Sequence, residues 1–270
     1  MFFLIFFLSL LIFFSTIGYG FIFLKLFRLE NFDYNFGIVG IIGLFFLSII
    51  SSYSHLFFPH NYIHNIIIII IGLFSFIFNQ TITSKEIKSQ TILFVMLFIA
   101  LLIAKTNEDF GYYHLPNSIQ FAEQKLQFGL GNLNHGFKHI SSLFMLMSLY
   151  YLPFVEHYLF NLTNFLFLVF FVAFVLKEIF LQKKNNLNFS NIILSFFLIL
   201  ILSKFSRLAE YGSDLAGQII IFIFIFFLIE LFFNQKIQNI RLNYLKISSI
   251  LIIFAITLKF ISVIYAILFL

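Results

Sequence analysis

Cysteine and tryptophan are absent from the 270 residues, proline occurs three times, and charged side chains make up only 10%. Without cysteine there is no disulfide framework, no thiolate metal site and no cysteine nucleophile. Soluble domains carry about 25% charged residues, so the scarcity of charge excludes the soluble fold classes. What fills the chain instead is apolar: 61% hydrophobic residues, 46 of them phenylalanine, with a mean hydropathy of +1.05. Phenylalanine at that level beside no tryptophan reads as the codon bias of an AT-rich genome, not as a binding surface. The net charge of +5 does not point to nucleic acid. Its cations sit in short segments between apolar runs, as the positive-inside effect predicts. The expected class is therefore all-α: a polytopic transmembrane helical bundle, with membrane lipids as its first partner.

A helix needs about 20 apolar residues to cross a bilayer. About eight spans are expected, near 2–23, 36–58, 62–79, 90–104, 155–176, 189–203, 215–233 and 247–268. The first lacks the charged lead and small-residue cleavage site of a secretory signal, and reads as a retained helix. Lys25, Arg28, Lys85, Lys88, Lys177, Lys183, Lys184, Lys236, Arg241 and Lys246 fall on one side of that arrangement. Glu108, Asp109, Glu123, Glu156, Glu210 and Asp214 fall on the other. The positive-inside rule makes the first side cytoplasmic and loop 105–154 extracytoplasmic. This alternation requires segment 138–153 not to cross. It is short, contains Ser141, Ser142 and Ser148, and ends at Tyr150, Tyr151 and Pro153, the marks of an interfacial helix with an aromatic belt. A second short helix is expected over 116–128, with Pro116 in its first turn and Gly129 as its C-cap. The final apolar run reaches Leu270 with no polar tail, which reads as a truncated N-terminal portion of something longer.

Chemistry concentrates in the largest polar loop. Glu108 and Asp109 stand just past an apolar span, followed by Phe110-Gly-Tyr-Tyr-His-Leu-Pro116. Neighbouring residues on a helix do not share a face, so the two acids cannot act as a dyad: one faces a site and the other faces water. The alternative is a pair of hydrated acids at a helix end. Tyr112 and Tyr113 suit an interfacial aromatic pair. His114, His135 and His139 share the loop but match no compact zinc spacing. Lys204, Arg207, Glu210 and Asp214 form a second cluster before the seventh expected span. Either they pair at the surface, which contributes little, or Arg207 or Lys204 grips a phosphate, for which the guanidinium fork is suited. Lys259 is expected about 20 Å deep in the last span, where a lysine is a functional candidate by default. Gly212-Ser213-Asp214 also fits a plain helix N-cap.

Asp109, Tyr113-His114-Leu115-Pro116, Gly129-Leu-Gly-Asn-Leu-Asn-His-Gly136, Ser213-Asp214-Leu215 and Thr257-Leu-Lys259 together resemble elements of the bacterial C-type (GT-C) polytopic membrane glycosyltransferases. The resemblance covers roughly residues 90–270. It implies a GT-C-like membrane core there, incomplete at its C-terminus, after an N-terminal three-span region over 1–89. It implies two short helices on the outer surface, at 116–128 and 138–153, and a multi-pass protein of the bacterial inner membrane serving the cell envelope. It implies transfer of a sugar from a polyprenyl-phosphate donor to a lipid, glycan or protein acceptor, with Asp109 as catalytic base and inversion at the anomeric carbon. The expected substrate-binding set is Glu108, Tyr113, His114, Asn132, His135, Lys204, Arg207 and Lys259. A divalent metal ion shared by Asp109 and Asp214 is an alternative to those cations at the departing phosphate. Two departures stand out: Asn134 separates Leu133 from His135, and the acids read Glu-Asp where many relatives read Asp-Glu. Two other classes remain open. A lipid-glycan flippase or transporter tends to have midplane charges or broken helices, and paired Gly or Pro breaks are missing from the spans. An oligosaccharide polymerase or ligase would use more arginine in its large loop, and loop 105–139 has none.

Overall fold

A computed structural model describes residues 1–29, 35–79, 83–102, 108–139, 141–181, 189–233 and 238–269. The described residues are helical throughout, apart from turns and one isolated bridge between Leu152 and Glu156. Long helices are α1 (Phe2–Leu26), α2 (Phe36–His55), α3 (Tyr62–Ile77), α4 (Ser84–Leu97), α8 (Leu162–Leu181), α9 (Phe189–Ser203), α10 (Asp214–Phe233) and α11 (Gln238–Leu258). Between α4 and α8 lie three short ones: α5 (Leu115–Glu123), α6 (Leu130–Leu133) and α7 (Ser142–Ser148). Among the described residues, five helices are long and apolar enough to cross a membrane: Phe2–Leu26, Phe36–His55, His157–Ile179, Asp214–Phe232 and Arg241–Leu258. Tyr62–Ile77, Phe189–Ser203 and Phe260–Phe269 are apolar but shorter. In hydrocarbon every backbone polar group must be satisfied internally, and a helix does this within its own segment.

α8 runs through the centre, with Phe165, Phe167, Phe170, Phe171 and Phe174 all fully buried. Around it the rings interlock: Phe13 stacks on Phe170 at 5.2 Å, and Phe94 meets Phe165 edge-on at 5.4 Å. α1 packs along both α2 and α3. Lipid chains are as apolar as leucine, so close backbone approach and interhelical hydrogen bonds must hold such a pair together. At the α1–α3 crossing a Cβ on Gly18 would overlap the Gly72 carbonyl oxygen. Ser75 Oγ donates to the Gly18 carbonyl at 2.9 Å, Ser15 Oγ to that of Ile69 at 3.0 Å, and the Tyr19 hydroxyl to that of Ile68 at 2.8 Å. The outward face of α3 carries Ile63, Ile67, Ile70, Ile71 and Phe74, all exposed.

One end of the bundle gathers the turn between α2 and α3, helices α5 to α7, and the start of α10. His60 fastens it. The ring is fully buried: its Nε2–H donates to the Ser51 carbonyl at 3.1 Å, and Nδ1 pairs with the Ser148 hydroxyl at 2.6 Å. Asn65 donates to the carbonyls of His60, Ser148 and Tyr151. Burial, with His64 and His55 nearby, holds the His60 imidazole down at about 3.

Several expected boundaries move. The helix expected over 116–128 ends at Glu123, because neighbours draw off its last carbonyls: His60 N–H donates to Phe121 and His55 Nε2–H to Gln124. Gly129 is not its C-cap. At φ +87° it precedes α6 instead, in a conformation that costs glycine no Cβ clash. Segment 138–153 does not lie open with an aromatic belt: Leu143, Phe144, Leu146, Met147 and Tyr150 are buried, and α7 packs against α2, α5, α8 and α11. The span expected at 90–104 is α4, which begins at a Thr83/Glu86 capping box and passes into a 3-10 turn over Phe98–Leu102. The last expected span, 247–268, is divided: α11 starts nine residues earlier, at Gln238, stops at Leu258, and a 3-10 helix follows over Phe260–Phe269. Lys183, Lys184 and Lys236 lie outside the described residues.

Candidate functional site

From Glu108 onward the described chain is helical and contains a π-helical turn, Phe110–His114, before α5. Regular α-helix advances 100° per residue, which would set positions 109 and 114 about 140° apart. The wider π turn, with its i to i+5 bonding, brings them toward one side. Asp109, Tyr113 and His114 line the same cavity; Glu108 is exposed and does not. Gly136 backs the turn, since a Cβ there would stand 2.6 Å from Tyr113 Cβ.

The opposite wall comes from the junction before α10. A 3-10 helix over Phe205–Glu210 carries Arg207, and Tyr211 turns the chain with φ 57°. A tyrosine in this left-handed region is uncommon. It is held by Phe110, whose ring lies 4.7 Å away, and by two hydrogen bonds on the flanking carbonyls. His114 Nδ1–H donates to Glu210 at 2.9 Å, and Asn164 Nδ2 of α8 donates to Gly212 at 3.0 Å. Ser213 then takes the N-cap position, its carbonyl accepting from Gly217 at 2.9 Å.

The third wall is the end of α11. Ser141 Oγ donates to the Leu258 carbonyl at 2.7 Å, and Ser142 Oγ to Thr257 Oγ1 at 3.2 Å. Helices leave their last carbonyls unpaired, and Ser141 satisfies that of Leu258. Lys259 therefore stands at the helix end, not deep within a span, and its Nζ meets Asp214 Oδ1. Arg207 approaches Asp214 Oδ2 at 3.5 Å. The expected depth of Lys259 is not met because α11 starts earlier than its apolar core suggests, with Arg241 and Lys246 carried on its first turns.

The cavity holds about 190 Å³ and is bounded by Asp109, Tyr113, His114, Arg207, Glu210, Gly212, Ser213, Asp214, Leu215 and Lys259. It is open: the side chains of Arg207, Asp214 and Lys259 are 45%, 53% and 43% exposed. Burial lowers the His114 pKa, against the pull of the Glu210 carbonyl and the Asp109, Asp214 and Glu210 charges. The ring is therefore neutral at pH 7. Burial and the charges of Asp109 and Asp214 push the Tyr113 phenol up.

Of the residues singled out from sequence, the cavity brings together Asp109, Tyr113, His114, Arg207, Asp214 and Lys259. Asn132 and His135 are exposed on the neighbouring loop, where His135 faces His139 at 5.9 Å. Lys204 and Glu108 also lie outside the lining. Asp214 turns one oxygen to each cation, and among the described residues no group of three or more His, Asp or Glu is placed to hold a metal ion. Sequence reasoning missed the positioning roles of Asn164 and Ser141. A lone asparagine within the apolar run Leu162-Thr-Asn-Phe-Leu-Phe-Leu168 was the available signal.

A family model described as a domain of unknown function (DUF8201) matches residues 1–270. The chain belongs to that family. No curated protein and no solved structure matches it. For this DUF8201 chain, the geometry of the cavity is what bears on function.

Proposed function

We propose that the chain is a membrane glycosyltransferase, moving a sugar from a polyprenyl-phosphate donor to an acceptor hydroxyl at the outer face of a bacterial inner membrane. In this reading the bundle crosses about eight times, and loop 105–154 is extracytoplasmic. The carrying observation is the convergence at one end of the bundle: a carboxylate without a paired cation in the cavity (Asp109) stands with Arg207 and Lys259, two cations shared by one acid. Asp109 takes the proton of the acceptor hydroxyl as its oxygen bonds to the anomeric carbon. The bond from that carbon to the lipid phosphate breaks, and the phosphate leaves with the electron pair. One displacement inverts the configuration. Developing negative charge on the phosphate is met by Arg207 and Lys259, in exchange for Asp214. Substrate chains reach such a site sideways from the lipid, which suits a cavity at helix ends.

A flippase or transporter would be expected to hold its working charges near the membrane midplane, and these stand at helix termini instead. The experiment is Asp109→Asn in purified, reconstituted protein, with labelled sugar on a polyprenyl phosphate as donor. Loss of a general base costs about a hundredfold or more, with thermal stability unchanged. Undiminished transfer by the variant, or lipid-sugar movement across the bilayer without any transfer by the parent, sinks the reading.

A further inference from the structure

His114 belongs to the cavity, but the mechanism above gives it no task. Its surroundings restrict what it can do. Nδ1 lies 2.9 Å from the Glu210 carbonyl oxygen. A carbonyl only accepts, so Nδ1 carries the hydrogen, and in the neutral ring Nε2 is left as a lone-pair acceptor. The residue is 4% exposed, yet Nε2 has no hydrogen-bond partner among the described residues and is not one of the sealed, unpaired buried atoms. The Cε1–Nε2 edge lies over Gly212, where a Cβ would stand 3.3 Å from Cε1 and 3.8 Å from Nε2. Both residues line the cavity, and the missing side chain at 212 leaves that edge open to it. Two residues on, Asn164 holds the Gly212 carbonyl, so the turn that presents the Glu210 carbonyl to the ring is pinned to α8.

We infer that His114 is a specificity-determining residue, whose Nε2 accepts a hydrogen bond from a hydroxyl of the ligand and takes no part in binding phosphate. The ionised diester phosphate of a lipid-linked sugar offers no hydrogen to a lone pair, whereas a sugar hydroxyl does. The cavity thus separates two recognitions. Arg207 and Lys259, on Asp214, read the anion; His114, on the far side of Gly212, reads the hydroxylated part. The inference rests on the transferase reading for the ligand class.

The test is 15N spectroscopy of histidine-labelled protein in lipid nanodiscs at pH 7, with the His114 signals assigned by their loss in His114→Gln. Two probes are titrated: a short isoprenyl monophosphate, and the same lipid phosphate carrying a hexose. The expected result is an unprotonated Nε2 that moves with the hexose lipid and not with the bare phosphate. His114→Phe should weaken the hexose lipid about tenfold, the worth of one hydrogen bond, and leave the bare phosphate lipid unchanged. His114→Gln, which keeps an acceptor at that reach, should recover part of the loss. A protonated Nε2, a response to bare phosphate, or a bound hexose lipid that leaves Nε2 unmoved overturns the inference while leaving the transferase reading intact. If neither lipid binds, the transferase reading fails and this inference fails with it.

Discussion

At the scale of single residues, Asp214 is the hub of the cavity. It holds Lys259 and Arg207, which come from different elements. All three are close to half exposed, so each pair contributes only about 0.2–1 kcal/mol to folding. Asp214→Asn is therefore expected to leave the thermal midpoint nearly unchanged while freeing both cations. Binding of an isoprenyl monophosphate to that variant, measured by calorimetry, should tighten if Asp214 competes with the phosphate. Weaker binding would show that Asp214 orients the cations instead. The sequence alone made Asp109 legible, because an acid at the mouth of an apolar span demands an explanation. It also showed that Glu108 and Asp109 cannot point the same way. It misjudged Lys259, since the depth of a side chain depends on where its helix starts. Arg241 and Lys246, both exposed on the first turns of α11, disguise that start, because charged residues there read as a loop before the span.

At the scale of elements, two contacts carry consequences. The Ser141 bond to the Leu258 carbonyl closes a helix end in a buried place. Ser141→Ala leaves that carbonyl without a partner, at a cost of about 1–3 kcal/mol. A lowered midpoint in detergent should accompany it, together with faster labelling of Lys259 by an amine reagent as its grip on Asp214 loosens. Unchanged labelling would mean that Lys259 is positioned by α10 alone. The α1–α3 crossing has no room for a side chain at Gly18 or Gly72. Gly18→Val should cost at least the 1–3 kcal/mol typical of an overpacked core, and an unaltered thermal midpoint would contradict the close approach. Apolar length made α1, α2, α8 and α10 readable from the chain. The π turn at Phe110–His114 was not readable, because nothing in the local composition distinguishes it from an α-helix. Nor was the burial of α7, whose serines suit an interface and equally suit capping and pinning within a packed bundle.

At the scale of the whole molecule, acid is a lever on stability. His60 is neutral in the fold, with its pKa held at about 3; an unfolded histidine titrates near 6.5. Its folded pKa is the lower of the two, so the unfolded chain binds the extra proton. Stability is thus complete above about pH 6.5 and declines as pH falls toward 3, by at most about 1.4 kcal/mol per pH unit from this group. His114, lowered by burial, acts in the same direction. The thermal midpoint should fall between pH 6.5 and 4, and His60→Gln should flatten that slope even if it starts from a lower midpoint. A slope unchanged in the variant would assign the acid sensitivity elsewhere. The pinning of the α2–α3 turn to α5 and α7 through His60 and Asn65 explains why so much depends on one ring.

The openness of the cavity has a chemical cost. Its charged groups are exposed, so under the proposed transfer an activated donor would meet water as well as an acceptor alcohol, and water too can attack an anomeric carbon. Fidelity would then be a matter of occupancy: whichever nucleophile sits beside Asp109 when the phosphate departs decides whether the sugar is passed on or wasted.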